Sequence, residues 1–191
     1  MAKIRYEENV YVAPEELYRV DTGYRLSGGF NLSIQGLTAG NYIPPLAPIS
    51  VDMATRTATL LKRVRVVESG SSAKKLKVSK YAQLSEGMFL SNGTATLTVV
   101  SVDTSDKDFD LITAKADTSA FTLGAILFEA TDASANQAKG VANYLAYAPT
   151  KVESGATLTA LARAFEVQTG KLYIPLTEED KKGLSDRFIF V

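Results

Sequence analysis

The chain of 191 residues is 46% hydrophobic and 22% charged, and its 21 basic and 21 acidic side chains give a formal net charge of zero. These proportions are those of a globular protein rather than a disordered one, and the lack of surplus positive charge argues against nucleic acid as a partner. Because the sequence contains neither His nor Cys, it excludes imidazole-based catalysis, a thiolate nucleophile, disulfides and the usual zinc sites.

Residues 1–36 are predicted to form an N-terminal arm with little core of its own. The arm is mixed in composition, and its aromatic side chains recur with neither the helix period nor the strand period. Such an arm packs on a neighbouring subunit or folds back on its own domain, and the sequence leaves both alternatives open.

Proline dominates the next segment, residues 37–62. Three prolines between positions 44 and 48 exclude a helix and a central strand there, because proline lacks the backbone N–H that both need. Strands are predicted beyond them, from Ile49 to Val51 and from Arg56 to Val67.

The best candidate for a basic patch is Lys62-Arg63 with Arg65, which lysines at positions 74, 75, 77 and 80 follow. Val64 and Val66 alternate with these charges. Since alternate residues of a strand point to opposite faces, the valines are predicted to be buried and the charged side chains to point into water.

Residues 63–121 are predicted to form an inserted small β domain. Apolar runs recur about every ten residues, which is typical of a small barrel or sandwich. Asn92-Gly93 stands between two of these runs and predicts a β-hairpin with a type I′ turn, because both central positions of that turn need positive φ.

The densest carboxylate cluster of the chain partly resembles a calcium loop. Aspartates alternate from Asp106 to Asp110, but Leu111 takes the place of the required glycine and Lys107 interrupts the ligands. A solvated hairpin loop is therefore the predicted structure, and neither a metal nor another cofactor is expected.

The C-terminal part combines one ambiguous segment, one short helix and a terminal strand. In residues 156–169 the apolar side chains at 158, 161, 162 and 165 fit helical spacing. Thr177 is expected to cap a short helix whose first turn, Glu178 to Asp180, is acidic, and these consecutive carboxylates do not face one another as a catalytic pair does. Phe188 to Val191 is predicted to be a strand, buried in its own sheet or at a subunit contact.

Several short runs of the chain form one pattern. They are Ala39-Gly40 to Val51-Asp52, Thr122 to Phe128, Thr131 to Ser134, Val141 to Tyr147, Leu161 to Val167, Lys171 to Pro175 and Arg187 to Val191. This pattern resembles the head decoration and head fibre proteins of tailed bacteriophages. The resemblance implies a discontinuous β-rich capsid-binding domain, residues 37–62 plus 122–191, and a strand rather than a helix at 156–169.

The predicted fold is therefore mainly β, a capsid-decoration-like domain with an inserted small β-barrel or sandwich and one or two short helices. The predicted function is that of a non-catalytic structural protein of a phage or prophage virion, made in the bacterial cytoplasm and decorating the capsid surface. Its expected partners are the major capsid protein and its own copies as a homotrimer. No membrane is expected, because no apolar stretch is long enough for a transmembrane helix. The residues predicted at the oligomer or capsid interface are Tyr42, Ile43, Pro44, Phe188, Ile189, Phe190 and Val191.

A carbohydrate-binding or adhesion module is the alternative function, with a glycan as a further partner. The inserted β domain and tyrosines would carry it, because an aromatic ring offers a face on which a sugar stacks. The candidates are Tyr42, Tyr144, Tyr147 and Tyr173, for which packing in the core or at an interface is the competing role.

Overall fold

The computed structural model describes residues 16–134 and 136–191, and their fold is mainly β, as predicted. Strands β1 to β5 are Tyr24–Arg25, Phe30–Ser33, Tyr42–Ile43, Pro48–Asp52 and Thr57–Leu60. Strands β6 to β11 are Arg63–Glu68, Lys75–Val78, Phe89–Ser91, Thr96–Asp103, Asp110–Ala114 and Ile126–Glu129. Strands β12 to β16 are Tyr144–Ala146, Thr150–Lys151, Thr157–Leu158, Ala160–Val167 and Phe188–Phe190. Helix α1 is Glu178–Leu184, and 3-10 turns occupy Val20–Thr22, Thr169–Lys171 and Ser185–Arg187.

The predicted barrel or sandwich is a closed barrel of six strands in the order β10-β7-β6-β11-β8-β9. Its interior is filled by alternate apolar side chains of every strand, such as Val64 and Val66 of β6 and Leu127 of β11, all fully buried. Strand β11 lies beyond residue 121, so the barrel takes one strand from the segment assigned to the discontinuous domain. The proposed division into domains stays a prediction.

The other strands form an eight-stranded sheet in the order β1-β15-β12-β4-β5-β2-β14, with β16 beside β15. Strands β1 and β2 belong to this sheet, so residues 24–33 of the predicted arm fold back on their own chain. Residues 1–15 of that arm lie outside the described part. Strands β3 and β13 make a separate pair.

The proline-rich segment behaves as predicted over residues 44–47, which form no strand or helix. Pro48 differs from the prediction, because it opens the central strand β4, where the first position of a strand tolerates a missing N–H. The single strand predicted from Arg56 to Val67 is two strands, β5 and β6, which are broken at residues 61–62. This break lets the chain pass from the sheet into the barrel.

Residues 160–167 form strand β15, so the strand implied by the resemblance is confirmed and the helix favoured by periodicity is wrong. Leu161, Ala164 and Val167 are all fully buried at a spacing of three residues. The register against β16 shifts between Ala164 and Val167, where Glu166 has a φ of +58°. A bulge of this kind adds a residue to the strand period between Ala164 and Val167. The helix-like set at 158, 161, 162 and 165 spans two strands, because Leu158 belongs to β14.

The hairpin at Asn92-Gly93 is confirmed, but its predicted type I′ turn is wrong. Ser91 pairs with Thr96, which leaves a four-residue loop between β8 and β9. Gly93 has a φ of +88°, whereas Asn92 is not among the described residues with positive φ. The Asn92 side-chain oxygen instead accepts hydrogen bonds from the backbone N–H groups two and three residues ahead, a common way for Asn to close a turn.

Candidate functional site

The barrel is joined to the rest of the protein by a buried ion pair between Arg63 of β6 and Asp180 of α1. The Arg63 Nε atom donates to Asp180 Oδ2 at 2.9 Å and its Nη2 atom donates to Oδ1 at 3.1 Å. Nη2 also donates to the Gly140 carbonyl at 2.6 Å. Only 1% of the Arg63 side chain and none of the Asp180 side chain is exposed. We call this pair and its neighbours the junction.

The junction corrects the prediction that Lys62 and Arg63 point into water, because both side chains are buried. Val64 and Val66 point into the barrel, as predicted, while Arg63 points towards α1. The alternation of charged and apolar residues therefore gave the correct period, but at Arg63 the charged side of β6 is covered by protein, whereas Arg65 is half-buried and Val67 is exposed on that side.

Asp180 also closes the first turn of α1, as the acidic pattern after Thr177 predicted. The Thr177 hydroxyl accepts from the Asp180 backbone N–H at 3.1 Å, and Asp180 Oδ2 accepts from the Thr177 N–H at 3.1 Å, which completes a capping box. Asp180 Oδ1 accepts a further bond from the Ala142 N–H at 2.9 Å. Burial by itself raises the pKa of Asp180, but the bonds and charge of Arg63, with those of Ala142 and Thr177, outweigh it and hold that pKa below its ordinary value.

Lys62 lies beside the junction, on the wall of a cavity of about 640 Å³. Its Nζ atom donates to the Gly36 carbonyl at 2.6 Å and contacts the Met88 sulfur at 3.6 Å. Burial lowers the pKa of Lys62, and the nearby Glu129 carboxylate opposes that shift. Glu129 is itself paired with Lys139 at 2.9 Å, so the ammonium of Lys62 is held mainly by a backbone carbonyl.

The structure places the seven predicted interface residues in two parts of the fold, residues 42–44 in and just after β3 and residues 188–191 in and just after β16. Three of them, Ile43, Pro44 and Phe188, are buried within the chain. Tyr42, Ile189 and Val191 are exposed and Phe190 is half-buried. Ile43 packs in the core under β4 and β5, whereas Phe188 packs in a second cluster around β15.

Both ends of the described chain meet at the end of β15. The Gln168 N–H donates to the carbonyl of Leu17, the second of the described residues, at 2.9 Å. The Val191 N–H donates to the Val167 carbonyl at 2.9 Å, and the Val191 carbonyl accepts from the Thr169 N–H at 2.9 Å. Strand β16 runs parallel to β15, so the C-terminal strand pairs within its own chain.

A second cavity, of about 520 Å³, opens between the barrel and the β3 segment, and we call it the tyrosine groove. Its lining includes Tyr42 from β3, then Lys80, Tyr81 and Gln83 from the segment after β7, and Asp110 from β10. Tyr42 and Tyr81 are exposed over 58% and 51% of their surface. The Tyr81 ring also meets the Tyr173 ring edge-on, with 5.2 Å between centroids and 84° between planes.

Two buried polar atoms of the tyrosine groove have no hydrogen-bond partner, Gln83 Nε2 and Asp110 Oδ1. Asp110 Oδ1 is nevertheless ion-paired with Lys80 Nζ at 3.3 Å. Burial raises the pKa of Asp110, and Lys80 opposes that shift. Buried polar atoms are nearly always satisfied in folded proteins, so the unpaired Gln83 Nε2 marks the groove as a place where a ligand has a hydrogen bond to accept.

The tyrosines of the alternative function are divided between surface and core. Tyr42 lines the tyrosine groove and Tyr173 lies outside its lining in contact with the Tyr81 ring, while Tyr144 and Tyr147 are half-buried and pack against core clusters. Sequence reasoning missed Tyr81, Gln83 and the side-chain role of Asp110, because nothing in the spacing of these residues shows that they meet.

The aspartate cluster forms the predicted hairpin loop between β9 and β10. Asp103 and Asp106 each accept a backbone hydrogen bond from the residue two positions ahead, at 3.0 and 2.8 Å. The bonds from Ser105 hold the pKa of Asp103 below its ordinary value. Within residues 16–134 and 136–191, no group of three or more His, Cys, Asp or Glu side chains is placed to hold a metal ion.

Comparison with known proteins gives one family. No helix of the described residues is long and apolar enough to cross a membrane. No curated protein and no solved structure matches the chain significantly. The family of head fibre proteins of phages, however, matches residues 2–190. This match covers nearly the whole chain and includes the barrel as well as the sheet, so the chain belongs to the phage head fibre protein family, a family of virion structural proteins.

Proposed function

We propose that this protein decorates the outer surface of a phage capsid as a non-catalytic head fibre component. Membership of the head fibre family over residues 2–190 is the observation that carries the proposal. In this proposal the chain is made in the bacterial cytoplasm and then binds the major capsid protein and other copies of itself, as a homotrimer. Its work is to supply contact surface, for which no reactive side chain is needed.

The surface around the two chain ends is the proposed site of these contacts. Leu17 is bonded to Gln168, just after β15, and Val191 is bonded to Val167, the last residue of β15. Ile189 and Val191 expose apolar side chains there. Covering such side chains contributes favourably to association. In this proposal the buried residues Ile43, Pro44 and Phe188 make no contact with other chains and only hold β3 and β16 in place.

Light scattering over a wide concentration range, with co-sedimentation on capsids that lack the fibre, tests the proposal. A stable trimer that binds the capsids is expected. Ile189→Asp should weaken the trimer or the capsid binding, because it places a charge in an apolar contact. Val100→Asp is the matched control, since Val100 is an equally exposed strand residue of the barrel. A protein that stays monomeric and leaves every capsid bare would refute the proposal.

A further inference from the structure

We infer that the tyrosine groove binds an uncharged sugar ring. The groove joins an unused hydrogen-bond donor, Gln83 Nε2, to exposed aromatic faces, in a cavity of about 520 Å³. Ligand sites in proteins commonly have this volume and combine apolar and aromatic surface with a few well-placed polar groups. The groove lies away from the chain ends, so sugar binding goes beyond the proposed capsid attachment and is tested independently of it.

The polar atoms of the groove suit a hydroxyl group. Gln83 Oε1 accepts from the Thr38 N–H at 3.1 Å, which fixes the amide and leaves Nε2 as a donor with no partner. Asp110 Oδ1 is already paired with the Lys80 ammonium at 3.3 Å, so Gln83 Nε2 is the group left to bind a ligand. A hydroxyl oxygen accepts hydrogen bonds, so a hydroxyl of a sugar satisfies this donor.

The aromatic side chains of the groove offer flat faces for the C–H groups of a sugar. Tyr81 packs edge-on against Tyr173, a contact that favours one orientation of its ring. Tyr42 stands among the same lining residues, with more than half of its surface exposed. Rigid aromatic side chains contribute large contact area with little loss of conformational freedom, which suits them to a weakly polar ring.

The backbone that carries these side chains is strained. Tyr81 has a φ of +73° and Gln83 has a φ of +52°, in a region that bulky side chains rarely occupy. Both residues project into the groove from the segment between β7 and β8. Strained residues persist where their surroundings over-determine them, and they concentrate at binding sites.

The charges in the groove favour a neutral ligand over an ion. Its two described charged side chains, Lys80 and Asp110, lie 3.3 Å apart and offset each other. Lys80 Nζ also donates to the backbone carbonyls of Thr104 and Asp106. The ammonium is thus already occupied, and no unbalanced charge is left to attract an anion or a cation.

Binding of sugars to the full chain tests the inference. Saturation-transfer NMR with the methyl glycosides of glucose, galactose, mannose and N-acetylglucosamine is combined with a glycan array. At least one of these probes should bind. Tyr81→Gly should weaken that binding by about tenfold or more, because it removes the ring while glycine accepts the positive φ. Gln83→Glu should do the same, because it replaces the donor and leaves the acceptor for Thr38.

Tyr24→Ala is the matched control, since Tyr24 is an exposed tyrosine of β1 outside the groove lining. Its binding should stay within about twofold of the unsubstituted protein. The circular dichroism of each variant confirms that it is folded. The inference is overturned if the folded protein binds no sugar on the array or in the NMR experiment. It is equally overturned if Tyr81→Gly and Gln83→Glu bind as well as the unsubstituted protein.

Discussion

Asp180→Asn is expected to destabilise the protein by about 3–5 kcal/mol, because it leaves the buried guanidinium of Arg63 without a counter-charge. The two oxygens of Asp180 accept bonds from Arg63 Nε at 2.9 Å, from Arg63 Nη2 at 3.1 Å and from the Ala142 N–H at 2.9 Å. Asparagine has one carbonyl oxygen, so its amide nitrogen must face at least one of these donors. The substitution therefore removes a charge and creates a donor–donor contact at constant volume.

Equilibrium unfolding in urea at pH 7, followed by circular dichroism and tyrosine fluorescence, measures the loss. Glu178→Gln is the matched control, an equivalent change in the same helix whose exposed pair with Lys181 should leave stability unchanged. Arg63→Met combined with Asp180→Leu should recover only part of the loss, because an apolar pair needs no counter-charge but leaves the buried N–H groups of Ala142 and Thr177 without an acceptor. A loss for Asp180→Asn below about 1 kcal/mol, the range of exposed pairs, would refute the reasoning.

The Arg63–Asp180 pair also makes the free energy of unfolding depend on pH in the acidic range. The folded protein holds the pKa of Asp180 below the ordinary value of 3.8. A lowered folded-state pKa gives stability that is fully present above the unfolded-state pKa and is lost as the pH falls through the folded-state pKa. The unsubstituted protein should therefore lose stability below about pH 4 more steeply than Asp180→Asn, which has no carboxyl to protonate at this site.

Three further substitutions test other contacts by urea unfolding. Burial raises the pKa of Asp110, so the stability that its neutral carboxyl provides is lost as the pH rises through the folded-state pKa. The stability of Asp110→Asn relative to the unsubstituted protein should therefore be higher at pH 7 than at pH 4. Gly183→Ala should destabilise although alanine favours helices, because the new Cβ would lie 2.4 Å from the Ala142 carbonyl oxygen, whereas Gly170→Ala meets nothing within 4 Å. Phe188→Ala should lose about 3–5 kcal/mol as a core truncation. Equal stability of Gly183→Ala and its control Gly170→Ala, or a loss below about 1 kcal/mol for Phe188→Ala, would contradict these contacts.

Local patterns predicted the elements whose environment is local. The acidic turn after Thr177 gave the helix and its cap, and the spacing of apolar runs gave a barrel or sandwich. The β15 strand was obscured because its buried residues do not alternate and the helix-like set begins in β14, and only the family resemblance favoured a strand there. The spacing of apolar residues identifies a strand only where successive side chains point to alternate faces of the sheet.

The junction and the tyrosine groove were beyond the reach of local patterns. Arg63 and Asp180 are 117 positions apart in the chain, and each alone is typical of a solvated charge. Alternation along β6 showed which side chains share a face, but not that α1 covers the second face. The groove likewise assembles residues of the β3 segment and of the barrel, which come together only once both have folded.

The junction should also govern the tyrosine groove, because the groove has one wall on each part of the molecule. Tyr42 comes from β3, while Gln83 and Asp110 come from the barrel, whose position the Arg63–Asp180 pair helps to fix. Asp180→Asn should therefore weaken sugar binding, measured by the same NMR experiment, without touching any groove residue. Phe188→Ala is the matched control, since it lowers stability by a similar amount from within the core around β15. If both folded variants bind sugar equally, the groove does not depend on the junction, and the bond between Thr38 and Gln83 is sufficient to hold its walls together.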